Sequence, residues 1–155
     1  MDVKDSATPR PYPWQFDQWA KFQHLAQSSR LPHAILLSGE SETGKLDFAR
    51  AAAAYILCRQ PIPDMGHRSE QGPLMQACGE CSSCSLLRSG SHPDLLLLQP
   101  EEPGKQLKID LVRHLNSFSA ARSHQGGWKM VLVEPAEALA SCFNVEASDQ
   151  PGVVR

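Results

Sequence analysis

The chain has almost no charge of one sign to spare. Its 155 residues carry 15 Lys and Arg against 17 Asp and Glu, a formal net charge of −2. No basic excess announces a nucleic-acid surface, and the balance is not acidic enough for a disordered acidic tail. Long apolar runs are missing too. The longest uncharged one, "AAAAYILC" from Ala51 to Cys58, is far too short to span a membrane. The amino terminus, "MDVKDSATPRPYPWQ", has no apolar centre and does not read as a signal peptide. Internal repeats and low-complexity tracts are absent. What remains is a cytosolic globular chain, long enough for one domain with a real core. That compartment bears on the cysteines. Where thiols stay reduced, a tight cysteine cluster is more often a metal site than a disulfide framework.

Several elements can be read from pattern. Residues 1–11 read as a flexible lead-in. "PWQFDQWAKFQHLAQSSR" carries Phe16, Trp19, Phe22 and Leu25 at helical spacing, with Pro13 suited to the helix start. "HAILLSG" reads as a buried parallel strand closed by Gly39. "KLDFARAAAAYILC" reads as an alanine-rich helix whose apolar members are Leu46, Ala49, Ala53, Ile56 and Leu57. "RQPIPDMGHRSEQGPLMQA" has Pro and Gly but no period, and reads as a loop or insertion. A short helix over "SCSLLRSG" should stop at Gly90. "DLLLLQP" is a second buried strand. "QLKIDLVRHLNSFSAAR" is an amphipathic helix with Ile109, Val112, Leu115 and Phe118 on one face. "GGWKMVLVEPAEAL" adds a third strand and the start of a helix. This alternation predicts an α/β fold, a doubly wound parallel sheet with helices on both faces.

"GESETGKL", Gly39 to Leu46, matches the phosphate-loop pattern G-x-x-x-x-G-K and sits between strand and helix, as such a loop must. Gly39, Gly44 and Lys45 would be its phosphate-facing residues. Its departures outweigh the match. Leu46 has no hydroxyl to hold magnesium. Glu42 stands where such loops favour glycine, and Glu40, Glu42 and Asp47 crowd three carboxylates around one lysine. On the third strand, Glu134 is followed by Pro135, which cannot act as a base, and Glu137 comes two residues late. The favoured reading is a turn that keeps the loop's shape without binding ATP. An atypical P-loop ATPase is the alternative.

Cys78, Cys81 and Cys84 form C-x-x-C-x-x-C. Such spacing lets thiolates reach one tetrahedral zinc, with intervening N–H groups turned toward sulfur. A fourth ligand must come from elsewhere. Cys58, at the far end of the irregular loop, is preferred over His67 and His92. A thioredoxin-like redox pair is disfavoured because no strand is expected before Cys78, and the spacing is not a usual iron–sulfur one. Four thiolates would leave no open position, so the zinc would be structural. Cys142 reads as a spare thiol. His92-Pro93-Asp94 reads as the start of a strand, with Asp94 capping a turn, rather than as a catalytic pair.

Together, "YPW", "LPHAILLSG", "GESETGK", Cys58, "CGECSSC", "GSHPD" and "GGWKMVLVEPAEAL" resemble the delta-prime subunits of the bacterial DNA polymerase III clamp loader. The likeness runs over residues 12–139. It implies an AAA+ domain, here partial, with an inserted zinc module at about residues 58–90. It also implies Cys58, Cys78, Cys81 and Cys84 as zinc ligands and no catalytic residue. The implied role is a non-hydrolysing subunit of a polymerase holoenzyme, a nucleotidyltransferase complex. The implied partners are the tau/gamma and delta subunits, with the sliding clamp and primed DNA met through the complex. The related tau/gamma subunits share the zinc module but keep an intact phosphate loop. A zinc-stabilised interaction module is a further alternative.

From residue 140 the chain departs from this family. "ASCFNVEASDQPGVVR" lacks the leucine-lysine-x-leucine-glutamate-glutamate-proline signature and helical periodicity. A frameshifted or truncated product is the expectation. In the AAA+ strand order the fourth strand lies between the first and third, so its loss would leave backbone groups unpaired. The chain by itself is therefore expected to be marginally stable and unable to join a clamp loader. Stable co-purification with the other loader subunits would contradict this.

Overall fold

The computed structural model describes residues 8–70, 72–102, 107–125 and 127–140. Cys142, the remainder of the tail and residues 1–7 lie outside them. The described residues are mixed helix and strand, with two small sheets. They fall into two compact units, one holding residues up to 95 together with 123–130, the other residues 96–122 and those from 131 onward.

The first unit begins with a 3-10 turn, Pro13–Gln15, that runs directly into α1, Phe16–Gln27. Pro13 suits this first turn because its missing N–H would have had no helical partner. The Gln15 side chain reaches back to accept from the Tyr12 amide at 2.9 Å. Helix α2, Lys45–Leu57, starts at Gly44, whose φ of 78° is left-handed. A Cβ at Gly44 would stand 2.6 Å from the Tyr12 ring, so glycine is needed there for space as well as for torsion. Ala51 to Ala54 are all buried, and their small side chains let neighbours approach closely. Trp19, Phe22, Phe48, Ala51, Ala52, Tyr55 and Leu74 form the main core. The Trp19 ring meets Phe48 edge-on at 5.5 Å and Tyr55 at 5.9 Å.

The segment expected to be an irregular loop is instead a hairpin. β1, Ile62–Ser69, pairs antiparallel with β2, Gly72–Gln76. Pro63 and Pro73 lie inside these strands, and the register breaks between Pro63 and Arg68. Proline is tolerated because the ladder is short and broken. β2 is held from the other side by α1. The Gln23 side-chain amide donates to the Met75 carbonyl and accepts from the Met75 N–H at 3.0 Å, while Trp19 Nε1 donates to the same carbonyl at 3.0 Å. A side-chain amide thus takes the place of a neighbouring strand.

A second correction concerns residues 33–39. They form no strand, and Ile35 and Leu36 are 49% and 74% exposed. Among the described residues no strand pairs with this segment. Without a ladder partner, apolar composition cannot make a buried strand, and only Leu37 and the preceding Leu31 pack on the core. The first unit is completed by α3, Ser82–Arg88, whose C-terminus turns at Gly90 with φ 69°. The Ser91 N–H bonds back to the Leu86 carbonyl at 2.9 Å, closing the helix end.

β3, Leu95–Leu98, neighbours β4, Met130–Val133. The Met130 N–H donates to the Asp94 carbonyl and the Glu134 N–H to that of Leu98. Both ends advance four residues in the same sense, so the pair is parallel, as the two buried runs predict. In the second unit, Leu98, Leu107 and Ala138 are buried, with Leu111 and Leu115 of α4, Ile109–Ala120, packed beside them. Ile109, expected on the packed face, is 71% exposed because it opens the helix. α5, Glu137–Ala140, follows β4. No described helix is long and apolar enough to cross a membrane.

The Gln23 clasp yields a direct expectation. Gln23→Ala should lower the unfolding free energy by about 2 kcal/mol, because it strips two bonds from buried backbone groups. Hydrogen exchange at the Met75 amide should speed up in this variant. Unchanged exchange there would show that β2 does not depend on the clasp.

Candidate metal centre and phosphate loop

Helix α2 ends at Leu57 because Cys58 turns to extended backbone, φ −67° and ψ 133°. This aims its sulfur at the knuckle that precedes α3. The Cys58 Sγ lies 3.6 Å from that of Cys78 and 3.9 Å from that of Cys81, and Cys78 and Cys84 are also 3.9 Å apart. All four sulfurs lie within 4.8 Å of one another. These cysteines are free, and disulfide sulfurs would be about 2.05 Å apart. Tetrahedral thiolates at about 2.3 Å from a zinc ion would stand about 3.8 Å from each other. The observed spacings match that edge length.

Backbone amides serve the same sulfurs. The Cys78 N–H donates to Cys58 Sγ at 3.3 Å, that of Cys81 to Cys78 Sγ at 3.3 Å, and that of Cys84 to Cys81 Sγ at 3.5 Å. Burial pushes the Cys58 and Cys84 thiols up. Burial opposes ionisation of Cys81 too, but the amides of Cys84 and Arg59 outweigh it and bring that thiol down to about 6. A buried set of thiols that resists carrying several negative charges is a set that a divalent cation would stabilise. β2 does precede Cys78, contrary to the expectation used against a thioredoxin-like pair. The better argument against such a pair is that all four sulfurs converge.

Neither histidine rival joins the cluster. His67 Nδ1 is 3.1 Å from Asp64 Oδ2, with its ring against Phe16. His92 is engaged at both nitrogens. Its Nδ1 accepts from the Asp94 N–H at 3.1 Å, so Nε2 carries the proton and donates to Ser83 Oγ at 2.9 Å. Ser83 in turn donates to the Leu57 carbonyl at 2.6 Å. Burial holds His92 below its ordinary pKa, against the pull of Asp94, so the ring stays neutral. The Asp94 carboxylate faces away from that ring. It accepts from Ser123 Oγ at 3.1 Å and from the amides of His124 at 2.8 Å and Gln125 at 3.1 Å. Asp94 therefore caps a turn, as its place before the strand predicts.

Gly44 leads into α2 through left-handed backbone. Glu42 adopts a left-handed φ of 61°, a conformation that suits glycine and costs other residues roughly 1 kcal/mol. The Lys45 ammonium does not project outward. It donates to the carbonyls of Gly39 at 3.1 Å and Glu40 at 2.5 Å. Gln15, which pattern reading passed over, is buried and donates to the carbonyls of Thr43 and Gly44, each at 3.0 Å. Trp14 Nε1 adds a bond to Thr43 at 3.3 Å. In the second unit, Glu134 accepts from Gln99 at 2.7 Å, and Glu137 is exposed.

Residues 14–144 match the family described as DNA polymerase III, delta subunit. The chain is 40% identical over 138 residues to the DNA polymerase III subunit delta' of Pseudomonas aeruginosa, covering 89% of this chain and 37% of that one. It is 33% identical over 130 residues to the subunit of the same name from Escherichia coli, covering 84% and 36%. A weaker likeness, 25% over 114 residues, links it to the DNA polymerase III subunit tau/gamma of Haemophilus influenzae, covering 74% and 14%. The chain thus spans about a third of the length of the delta' relatives.

Asp94 provides a test of this network. Nearby donors hold its carboxyl below the usual carboxylate range despite its burial. The stabilisation is therefore present above about pH 3.9 and lost as pH falls through the lower folded value. Asp94→Asn should cost about 2 kcal/mol at pH 7, with the difference shrinking below about pH 4. Urea titrations across pH would refute this if the gap were flat.

Proposed function

We propose that this chain, which belongs to the DNA polymerase III delta subunit family, supplies the AAA+ region of a delta-prime-type, non-hydrolysing clamp-loader subunit. In that role it would sit beside tau/gamma and delta and help load the sliding clamp onto primed DNA. The name shared by its delta' relatives supports the assignment. Its β3–β4 pair and its strand-flanking helices would be part of a larger P-loop sheet. The domain would run over residues 12–139, with the metal module at about 58–90.

The observation that carries the non-hydrolysing reading is the phosphate loop. Its left-handed turn into α2 is kept, yet Leu46 offers no hydroxyl for magnesium and the Lys45 ammonium is engaged by its own loop. Gly39, Gly44 and Lys45 then serve a structural turn. Pro135 after Glu134 removes a base from the opposite half-site. The likeness to tau/gamma is the weaker one. Such a subunit would contribute architecture to the holoenzyme and no turnover of its own, and it would work in the cytoplasm.

Cys58, Cys78, Cys81 and Cys84 would hold one structural zinc. Four thiolates fill a tetrahedron and leave no site for a reacting water. The metal would fix the two ends of the hairpin segment to each other.

Elemental analysis of the purified chain should find one zinc per chain. A strong chelator should unfold the first unit, and Cys58→Ser should lose the metal and lower the melting temperature. In the same sample, magnesium-ATP should give no rise in melting temperature that depends on Lys45. A nucleotide-dependent rise of several degrees that Lys45→Ala abolishes would instead favour the tau/gamma type, and absence of metal with four reactive thiols would refute the zinc assignment.

A further inference from the structure

The first unit contains a cavity of about 360 Å³ beside the cysteine centre, with Cys84 in its wall. Its wall comes from three stretches far apart in sequence. Arg10 and Tyr12 belong to the amino-terminal segment, Asp47 and Arg50 to α2, and Cys84 and Arg88 to α3. Three arginines thus line one space in a chain whose net charge is −2. Asp47 is the one carboxylate of the wall, and Arg10 also acts on the Asp64 carboxyl outside it. Asp47 accepts from the Tyr12 hydroxyl at 3.1 Å and lies 4.0 Å from Arg50 Nη1. Arg88 spends one bond on the Gly79 carbonyl at 3.3 Å. Each guanidinium carries five N–H donors in a planar fork, so a single contact takes up only part of its capacity. Like charges gathered around a concavity raise its potential, and arginine forks fit oxyanions in two-point contacts. The volume lies in the range of small-molecule sites.

We propose that this cavity binds a phosphate-type oxyanion carrying at least two negative charges, gripped by Arg10, Arg50 and Arg88. The phosphate could be a free polyphosphate or the terminal phosphate of a nucleic-acid strand; the chemistry of recognition is the same. The site is separate from the phosphate loop, whose Lys45 is not in the wall.

The test is calorimetric titration of the chain as purified, with its metal content measured in the same sample. Sodium tripolyphosphate should bind saturably with one site per chain. Arg10→Gln, Arg50→Gln and Arg88→Gln should each weaken binding about tenfold or more, since each removes a charge-assisted contact. Their metal content should match that of the parent. Lys45→Ala should bind as the parent does. Ten-residue oligothymidylates with and without a 5′-phosphate distinguish the sources. Binding that requires the 5′-phosphate assigns a strand end, and tripolyphosphate binding alone assigns a free polyphosphate; both sustain the site. No saturable binding by the parent chain overturns the proposal. So does loss of binding in Lys45→Ala, which would place the anion in the loop. Loss of metal in the arginine variants with anion binding unchanged also overturns it, because the arginines would then balance the charge of the cysteine centre.

Discussion

The convergence of four sulfurs at the junction of α2 and α3 is the constraint on which most of the first unit rests. Cys58 and Cys78 are 20 residues apart in sequence and 3.6 Å apart at sulfur. That closure makes the segment between them a hairpin with fixed ends, which lowers the entropy lost in pairing β1 with β2. The same two stretches are joined a second time. Ser83, between Cys81 and Cys84 in sequence, bonds to the Leu57 carbonyl, one residue before Cys58. His92 lies on Ser83, the Asp94 amide lies on His92, and the Asp94 carboxylate holds residues 123–125. Sulfur geometry at one end is therefore continuous with the approach to β3 at the other, through groups that are buried and fully hydrogen-bonded.

The segment from Gly39 to Leu46 is held in place from within the molecule. Its backbone still makes the left-handed step at Gly44, and Glu42 takes up a second left-handed position despite its side chain. Nothing about nucleotide binding is needed to explain this conservation of form within the molecule. Gln15 and Trp14 hold the Thr43 and Gly44 carbonyls, and Lys45 holds those of Gly39 and Glu40. The loop is a joint between the first turn of the chain and α2. Several of its carbonyls are satisfied from within.

Helices were legible in the sequence because their apolar spacing is local. α1, α2, α3 and α4 fall where periodicity and Gly or Pro punctuation place them. The cysteine knuckle was legible because its spacing is short and its chemistry admits few readings. Strands fared unevenly. The runs at 95–98 and 130–133 find each other, but the equally apolar run at 33–39 finds no partner among the described residues and stays exposed. A strand is a relation between two segments, and composition reports only one of them. The hairpin was missed for the opposite reason. Pro63, Gly66 and Pro73 argue against a ladder, while the groups that sustain β2, Trp19 and Gln23, lie more than 50 residues away. Gln15 was passed over because a polar residue at a helix start usually faces water.

The same limit applies to charge. A scan for basic runs finds none, since Arg10, Arg50 and Arg88 each stand among neutral or acidic neighbours. They meet only because α2, α3 and the amino-terminal segment surround one space. Tyr12 ties that space to the phosphate loop. Its ring occupies the volume that a side chain at position 44 would need, its hydroxyl restrains Asp47, and its face stacks on Trp14 at 4.7 Å. Any larger residue at Gly44 would displace the ring and break its hydroxyl bond to Asp47. Tyr12 thus couples the torsion of the loop to the charge around the cavity through one aromatic side chain.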